Sequence, residues 1–146
     1  MANALYDPGR GYFLKGAIDW STNAMTVILV NTTAGTTYTV DLVNHDFLDD
    51  VTAGAIVDTA EVIGNPVAAD YNIGIADGDD ITFALVAAGG YGAIEALVIY
   101  NGTPATDATR HLIAYIDTAT GLPVTPNGGD ITVQWDNTAG TKIFKL

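Results

Sequence analysis

The sequence predicts an all-β protein: an antiparallel β-sandwich of jelly-roll or Greek-key type with a short N-terminal helix or arm. Fifteen of the 17 acidic residues are aspartate, which favours turns, and only two are glutamate, which favours helices. The chain also contains 19 threonines and 16 glycines; threonine is enriched in strands, and glycine commonly separates them. Short apolar runs bounded by Gly, Asn and Asp recur along the chain without alternating helices, which is typical of a sandwich or barrel.

The first sixteen residues are predicted to form the helix or arm. Pro8, Gly9 and Gly11 work against a continuous helix. We therefore expect one short helical segment after Pro8, ended by Gly16, with a looser arm before it.

Eight or nine short strands are predicted to follow. Residues 25–30 are apolar on both faces, which predicts a central strand covered on each side. Residues 131–136 alternate, which places Trp135 in the core and its neighbours in solvent. Residues 45–51 lack alternation and predict one helical turn. The remaining predicted strands are residues 37–42, 56–63, 73–76, 81–86, 94–100, 112–117 and 141–146.

Length and charge limit the possible classes of protein. The 146 residues suffice for a single domain, 1–146, with a substantial core. The formal net charge of −12 disfavours nucleic acid and anionic membranes as partners. The chain has no cysteine, no signal-like N-terminal segment and no apolar run approaching the length of a membrane span. We expect a soluble protein.

Candidate catalytic residues are few. The chain has one serine, Ser21, and two histidines, His45 and His111, and none lies in a recognisable catalytic motif. A Ser-His-Asp site would require Ser21 and His45 to converge with Asp46 or Asp19. The simpler interpretation is a turn hydroxyl at Ser21 and a helix-start cap at His45. We expect no enzymatic activity and no cofactor.

One acidic turn is a weak candidate for a calcium site. Asp77, Asp79 and Asp80 provide the carboxylates that Ca²⁺ prefers, but the downstream glutamate and the spacing of a calcium loop are missing. The alternative is a β-turn in which the aspartates bond the local backbone. Asp46, Asp49 and Asp50 form a second cluster, for which capping of a helical turn is the favoured interpretation.

Several segments together resemble a known family. They are residues 112–136, the closing residues 142–146, Asn3-Ala4-Leu5-Tyr6, Phe13-Leu14-x-Gly16 with Ile18-Asp19-Trp20, and His45-Asp46-Phe47-Leu48. This pattern resembles a family of small virion structural proteins of tailed bacteriophages.

The resemblance implies a capsid decoration (cement) protein that binds the outer capsid surface. The implied partners are the major capsid protein of the same phage and two further copies in a homotrimer. The implied location is the capsid exterior, after synthesis in the bacterial host cytoplasm. The alternatives are a tail, head–tail or fibre-associated adaptor, and more remotely a small carbohydrate-binding module or enzyme.

Interface residues are predicted mainly in the N-terminal arm. Leu5 and Tyr6 are apolar groups without an evident regular face to join. Tyr12 is expected to be exposed, and Tyr91 lies in a glycine-rich loop. We expect residues 2–11 to dock on a neighbouring chain. The alternative is that Leu5 and Tyr6 pack on their own domain.

Overall fold

The computed structural model describes residues 3–33, 37–89, 92–138 and 142–146. In these ranges the protein consists mostly of strands in antiparallel sheets, with one short helix, which confirms the predicted all-β, antiparallel character. Within them no helix has the length and hydrophobicity that crossing a bilayer requires. The elements are β1 (Ala4–Leu5), α1 (Asp7–Leu14), β2 (Met25–Val30), β3 (Glu61–Val62), β4 (Val67–Asp70), β5 (Ile75–Asp77), β6 (Ile81–Phe83), β7 (Ala96–Asn101), β8 (Leu112–Ile116), β9 (Ile131–Val133) and β10 (Phe144–Lys145).

A five-stranded sheet forms the centre, in the order β1-β8-β7-β2-β3. The β2 and β7 strands pair over six residues, from Met25 opposite Asn101 to Val30 opposite Ala96. Every residue of β2, β7 and β8 is buried, because these strands are apolar on both faces. The prediction of a covered central strand at residues 25–30 is confirmed. Two smaller sheets, β10-β5-β4 and β6-β9, complete the strand pairing.

Apolar side chains form a separate cluster on each face of the central sheet. The first cluster joins Val27 and Leu29 of β2 to Phe83 and Trp135 from the β6-β9 region. The second joins the alternate β2 residues to the irregular segment 38–55. Its members are Tyr6, Ile28, Val30, Tyr38, Leu48, Val51, Ala55, Ala96, Val98, Tyr100, Leu112 and Tyr115.

The N-terminal segment belongs to the folded core, which corrects the expectation of a loose arm with exposed apolar groups. Leu5 lies in β1 opposite Ala114 of β8, and the backbone N–H of Tyr6 donates to the carbonyl of Ile113 at 3.0 Å. Leu5 is 6% exposed and Tyr6 is fully buried. Leu5 thus packs in the first cluster and Tyr6 in the second, so both pack on their own domain, as the alternative interpretation expected.

The predicted short helix is present as α1, and glycines explain both its position and its end. Gly9 is buried, and a Cβ atom there would collide with the backbone carbonyl of Leu112. Gly16 has φ of +70° just beyond the helix, so the chain turns where the sequence predicts a C-cap. The absence of a side chain at Gly9 therefore lets α1 lie directly against β8.

Several predicted strands are shorter than expected or are not strands. Residues 37–42 form no strand and pair with none among the described residues, although Tyr38 is buried as predicted. Residues 56–63 contribute only β3 and an isolated bridge between Ile56 and Val30. In residues 81–86 the strand ends at Phe83, and Leu85 has φ of +53°.

The alternation predicted for residues 131–136 is confirmed. Ile131 and Val133 are half-buried against the first cluster and Trp135 is 8% exposed, whereas the intervening residues are exposed. The indole N–H of Trp135 donates to the carbonyl of Asp79 at 3.0 Å, which satisfies the polar end of the buried ring.

Candidate functional site

Three polar side chains at the second cluster, those of Tyr6, Tyr38 and His45, are linked by hydrogen bonds. The hydroxyls of Tyr6 and Tyr38 lie 2.8 Å apart, and the Tyr38 hydroxyl lies 2.9 Å from Nδ1 of His45. Burial raises the pKa of Tyr6 well above its usual value and raises that of Tyr38 to about 12. Both phenols therefore stay neutral, and these hydrogen bonds hold Tyr6 of the N-terminal segment against residues 38–45.

The contact with Tyr38 corrects the role predicted for His45, which was to cap the start of the following helical turn. The backbone N–H of Asp41 also points at Nδ1 of His45, at 3.3 Å. The turn that follows is capped instead by Asp50, whose Oδ2 accepts the N–H groups of Asp46 and Phe47 at 2.8 and 3.3 Å. Capping by the acidic cluster is therefore confirmed for Asp50, while His45 binds Tyr38.

The structure does not bring the candidate triad together. The Ser21 hydroxyl donates to Oδ1 of Asp19 at 2.7 Å, in a local turn that also uses the Ser21 backbone N–H. This contact lowers the pKa of Asp19. His45 has its contacts with Tyr38 and Asp41, so Ser21 has no hydrogen bond with it in the part of the chain that the structure describes.

The three carboxylates of the calcium candidate have separate partners. Asp77 accepts the N–H of Gly78 and pairs with Lys142 at 3.3 Å. Asp79 accepts the side-chain amide of Asn65 at 2.6 Å, and Asp80 accepts the backbone N–H of Trp135 at 2.9 Å. Among the described residues, no three His, Asp or Glu side chains could jointly hold a metal ion.

Carboxylates throughout the structure hold loops in place. The Asp41 side chain, for example, accepts the N–H groups of Val43 and Asn44. Glu95 binds the backbone N–H of Thr32 and the hydroxyls of Thr32 and Thr33 at 2.7–2.8 Å, and these bonds lower its pKa. Further backbone N–H groups are accepted by Asp19, Asp50, Asp58, Asp77, Asp80, Asp130 and Asp136. The aspartate-rich composition thus produces ordered turns whose carboxylates remain near the surface.

Among the described residues, three of the five cationic side chains have an acidic partner. Arg10 lies 3.2 Å from Asp7, Arg110 lies 2.7 Å from Asp107, and Lys142 is held by Asp77. The 17 acidic residues outnumber the five cations, and the formal net charge is −12. The surface is therefore strongly negative.

Tyr12, a predicted interface residue, belongs to a half-buried aromatic cluster. Its ring centroid lies 3.9 Å from that of His111 and 5.9 Å from that of Phe47. The ammonium of Lys15 lies 5.4 Å from the Tyr12 ring centroid, within the range of a cation–π contact. This cluster lies where α1 meets the start of β8. The other predicted interface residue in a loop, Tyr91, lies outside the described residues.

His111 in this cluster carries an unsatisfied nitrogen. Its Nδ1 is buried and has no hydrogen-bond partner among the described residues. Protonation of Nδ1 would create a buried N–H donor without an acceptor, which is costly. Burial lowers the pKa of His111, and the nearby Asp46 carboxylate offsets part of that effect.

We expect His111 to make stability depend on pH. The unfolded chain binds this proton near pH 6.5 and the folded chain only at lower pH, so the free energy of unfolding should decrease as the pH falls below about 6.5. Urea unfolding of the native protein and of His111→Phe, from about pH 7.5 to 5.5, measures this effect. The phenylalanine keeps a ring in the cluster but cannot titrate, so its pH slope should be smaller. Equal slopes in the two proteins would contradict the assignment.

Sequence reasoning missed the Tyr6–Tyr38–His45 chain and the cluster around His111. The inward alternation of Tyr38 was the one available signal, because it placed a phenol in the core. The partners of Tyr38 lie 32 and seven residues away from it in the sequence.

No protein-family model and no curated protein matches this chain.

Proposed function

We propose that this chain is a non-enzymatic structural protein of a tailed-bacteriophage virion, a decoration protein bound to the outer surface of the capsid. Its partner is the major capsid protein of the same phage, and it acts as a homotrimer that stabilises the shell. The family resemblance of the sequence is the starting point for this proposal. The distribution of charge is the observation that carries it further.

The charge favours a basic protein surface as the partner. The net charge is −12, and Arg10, Arg110 and Lys142 are paired within the chain. Such a body is repelled by DNA and attracted to basic rims of a shell, and complementary charge speeds and orients docking. Loops held by carboxylates suit this role, because an ordered surface loses little entropy on binding.

We also propose that the domain is a β-sandwich. The first apolar cluster supports this, since it joins Val27 and Leu29 of the central sheet to Phe83 and Trp135 on the side of the smaller sheets. Facing sheets with interdigitating side chains are the usual core of a sandwich. A β body of this kind provides a rigid unit for repeated attachment to a shell.

Counting copies in virions tests the proposed location. Mass spectrometry of particles purified from the phage that encodes this chain should find it in a fixed ratio to the major capsid protein, at hundreds of copies. It should remain on empty heads without tails, and image reconstruction should place its density outside the shell. Because the attraction is electrostatic, the fraction bound to purified shells should decrease as sodium chloride is raised.

Other outcomes favour the alternatives. Roughly a dozen copies or fewer, lost with the tail, would identify a tail or head–tail adaptor. Absence from the particle would reject a virion role. Attachment that does not change with salt would reject charge as the basis of docking.

A further inference from the structure

A recess of about 250 Å³ opens at one end of the central strands. Strand pairing places the ends of β2 and β8 beside the beginning of β7 there, because Ala96 lies opposite Val30 of β2 and the next residue of β7 lies opposite Ile116 of β8. The described residues that line the recess come from these strand ends and from the loop after β8; they are Thr32, Glu95, Tyr115, Asp117, Leu122 and Pro123. We call it the strand-end recess.

The Glu95 carboxylate is a fixed negative charge in the wall of this recess. It accepts the backbone N–H of Thr32 and the hydroxyls of Thr32 and Thr33, all at 2.7–2.8 Å. These bonds, above all that from the Thr33 hydroxyl, lower the pKa of Glu95, so the carboxylate is ionised at neutral pH. Within the described ranges, no lysine or arginine lies within ion-pair distance of Glu95. Its charge is therefore held in one position by neutral donors and is not neutralised by them.

The hydroxyl of Tyr115 is a second polar group at the recess. Tyr115 is only 4% exposed, and its ring packs in the second cluster with its centroid 6.3 Å from that of Tyr38. Burial raises the pKa of Tyr115 to about 12, and the nearby charges of Asp117 and Glu95 contribute to the increase, so the phenol stays neutral beside two carboxylates. Its hydroxyl has no hydrogen-bond partner among the described residues. Because polar groups on buried side chains are normally hydrogen-bonded, this hydroxyl indicates a ligand that binds in the recess.

The rest of the lining adds a further carboxylate and an apolar wall. Asp117 follows β8 directly, is half-buried, and accepts the Thr118 hydroxyl at 3.1 Å. Leu122 and Pro123 form the apolar wall, and none of the described lining residues is basic. Carboxylates and a phenol oxygen accept hydrogen bonds from a cationic head, while an apolar wall suits an aliphatic stem. Lysine and arginine are the side chains that combine these two parts.

We propose that the strand-end recess binds a lysine or arginine side chain that projects from a protein partner. The cationic head lies against the Glu95 carboxylate and donates a hydrogen bond to the hydroxyl oxygen of Tyr115, while the stem packs on Leu122 and Pro123. A net charge of −12 favours such a basic partner over an acidic one. The inference rests on the proposed function in naming that partner as the capsid protein, and it specifies where the acidic chain makes the contact.

Titration of the purified full chain with N-acetyl-argininamide, a soluble form of the arginine side chain, tests the recess without a capsid. In ¹H–¹⁵N spectra the amide signals of Thr32, Glu95 and Asp117 should shift and saturate at millimolar concentrations. The citrulline analogue has nearly the same shape but no charge, and it should not produce these shifts. Tyr115→Phe and Glu95→Gln should each weaken binding by roughly tenfold, because each removes a hydrogen bond or a charge opposite the cation.

Glu61→Gln is the matched control, because it removes the same charge from the only other glutamate, which lies in β3 and does not line the recess. It should bind like the native protein. Tyr115→Phe removes only a hydroxyl without a described partner, so the fold should be retained, and thermal melting checks this for every variant. Native spectra without saturable shifts, equal shifts with the citrulline analogue, or an equal loss of binding in Glu61→Gln would overturn the recess as a cation site.

Attachment of the same variants to purified shells separates this inference from the proposed location. Tyr115→Phe and Glu95→Gln should attach roughly tenfold more weakly than the native protein and Glu61→Gln. Unchanged attachment of both recess variants would overturn the recess as the docking contact, although the chain would still belong to the capsid. Saturable binding of N-acetyl-argininamide by a chain that is absent from virions would support the recess and reject the capsid location alone.

Discussion

Trp135→Ala is expected to lower the free energy of unfolding by about 3–5 kcal/mol. Trp135 is 8% exposed and belongs to the first cluster, so alanine would leave a large cavity there. The substitution also removes the indole N–H that satisfies the carbonyl of Asp79. Urea unfolding at neutral pH measures the change.

Two further variants separate the contributions at this position. Trp135→Phe keeps an aromatic ring but lacks the N–H donor, so its loss of stability should fall between those of the native protein and the alanine variant. Gln134→Ala, at the exposed neighbouring position, should change stability by less than about 0.5 kcal/mol. A cooperative Trp135→Ala protein of near-native stability would show that the ring is not part of the core.

Gly9→Ala and Gly11→Ala are expected to change stability in opposite directions, although both lie in α1. A Cβ at Gly9 would collide with the backbone carbonyl of Leu112, and a backbone atom of a central strand cannot easily move away. We expect Gly9→Ala to cost about 2–3 kcal/mol. Nothing lies within 4 Å of the corresponding position at Gly11. There alanine should stabilise the helix by about 0.5–1 kcal/mol.

The pair provides its own control, because the two substitutions have the same helix propensity. Chemical unfolding of both variants gives the difference directly. Similar values for Gly9→Ala and Gly11→Ala would mean that α1 does not pack closely on β8.

The central strands could be predicted because their signal is local. Residues 27–30 and 112–116 are continuous apolar runs. Such a run predicts a strand covered on both faces without information about which strands lie beside it. The alternation of residues 131–136 likewise identified Trp135 as a core residue. The turn at Gly16 was equally local, since glycine readily adopts positive φ.

The strand boundaries were harder to predict, because pairing depends on distant segments. Residues 37–42 alternate as a strand should, yet no partner strand lies beside them in the described part of the chain. Residues 4–5 show no strand pattern, yet the edge of β8 is available to them. A β-strand exists only where another backbone supplies its hydrogen bonds, and local periodicity does not report that.

The candidate sites likewise combine features that the sequence predicts with features that only the folded chain shows. The sequence by itself determined the strongly acidic charge, the scarcity of nucleophiles and the apolar runs that become the central sheet. Only the tertiary structure decided that Leu5 and Tyr6 are buried in their own chain and that Glu95 and Tyr115 line one recess. Composition and local periodicity can be counted along the sequence, whereas the burial of Leu5 depends on Ala114 in β8, which only the folded chain places beside it.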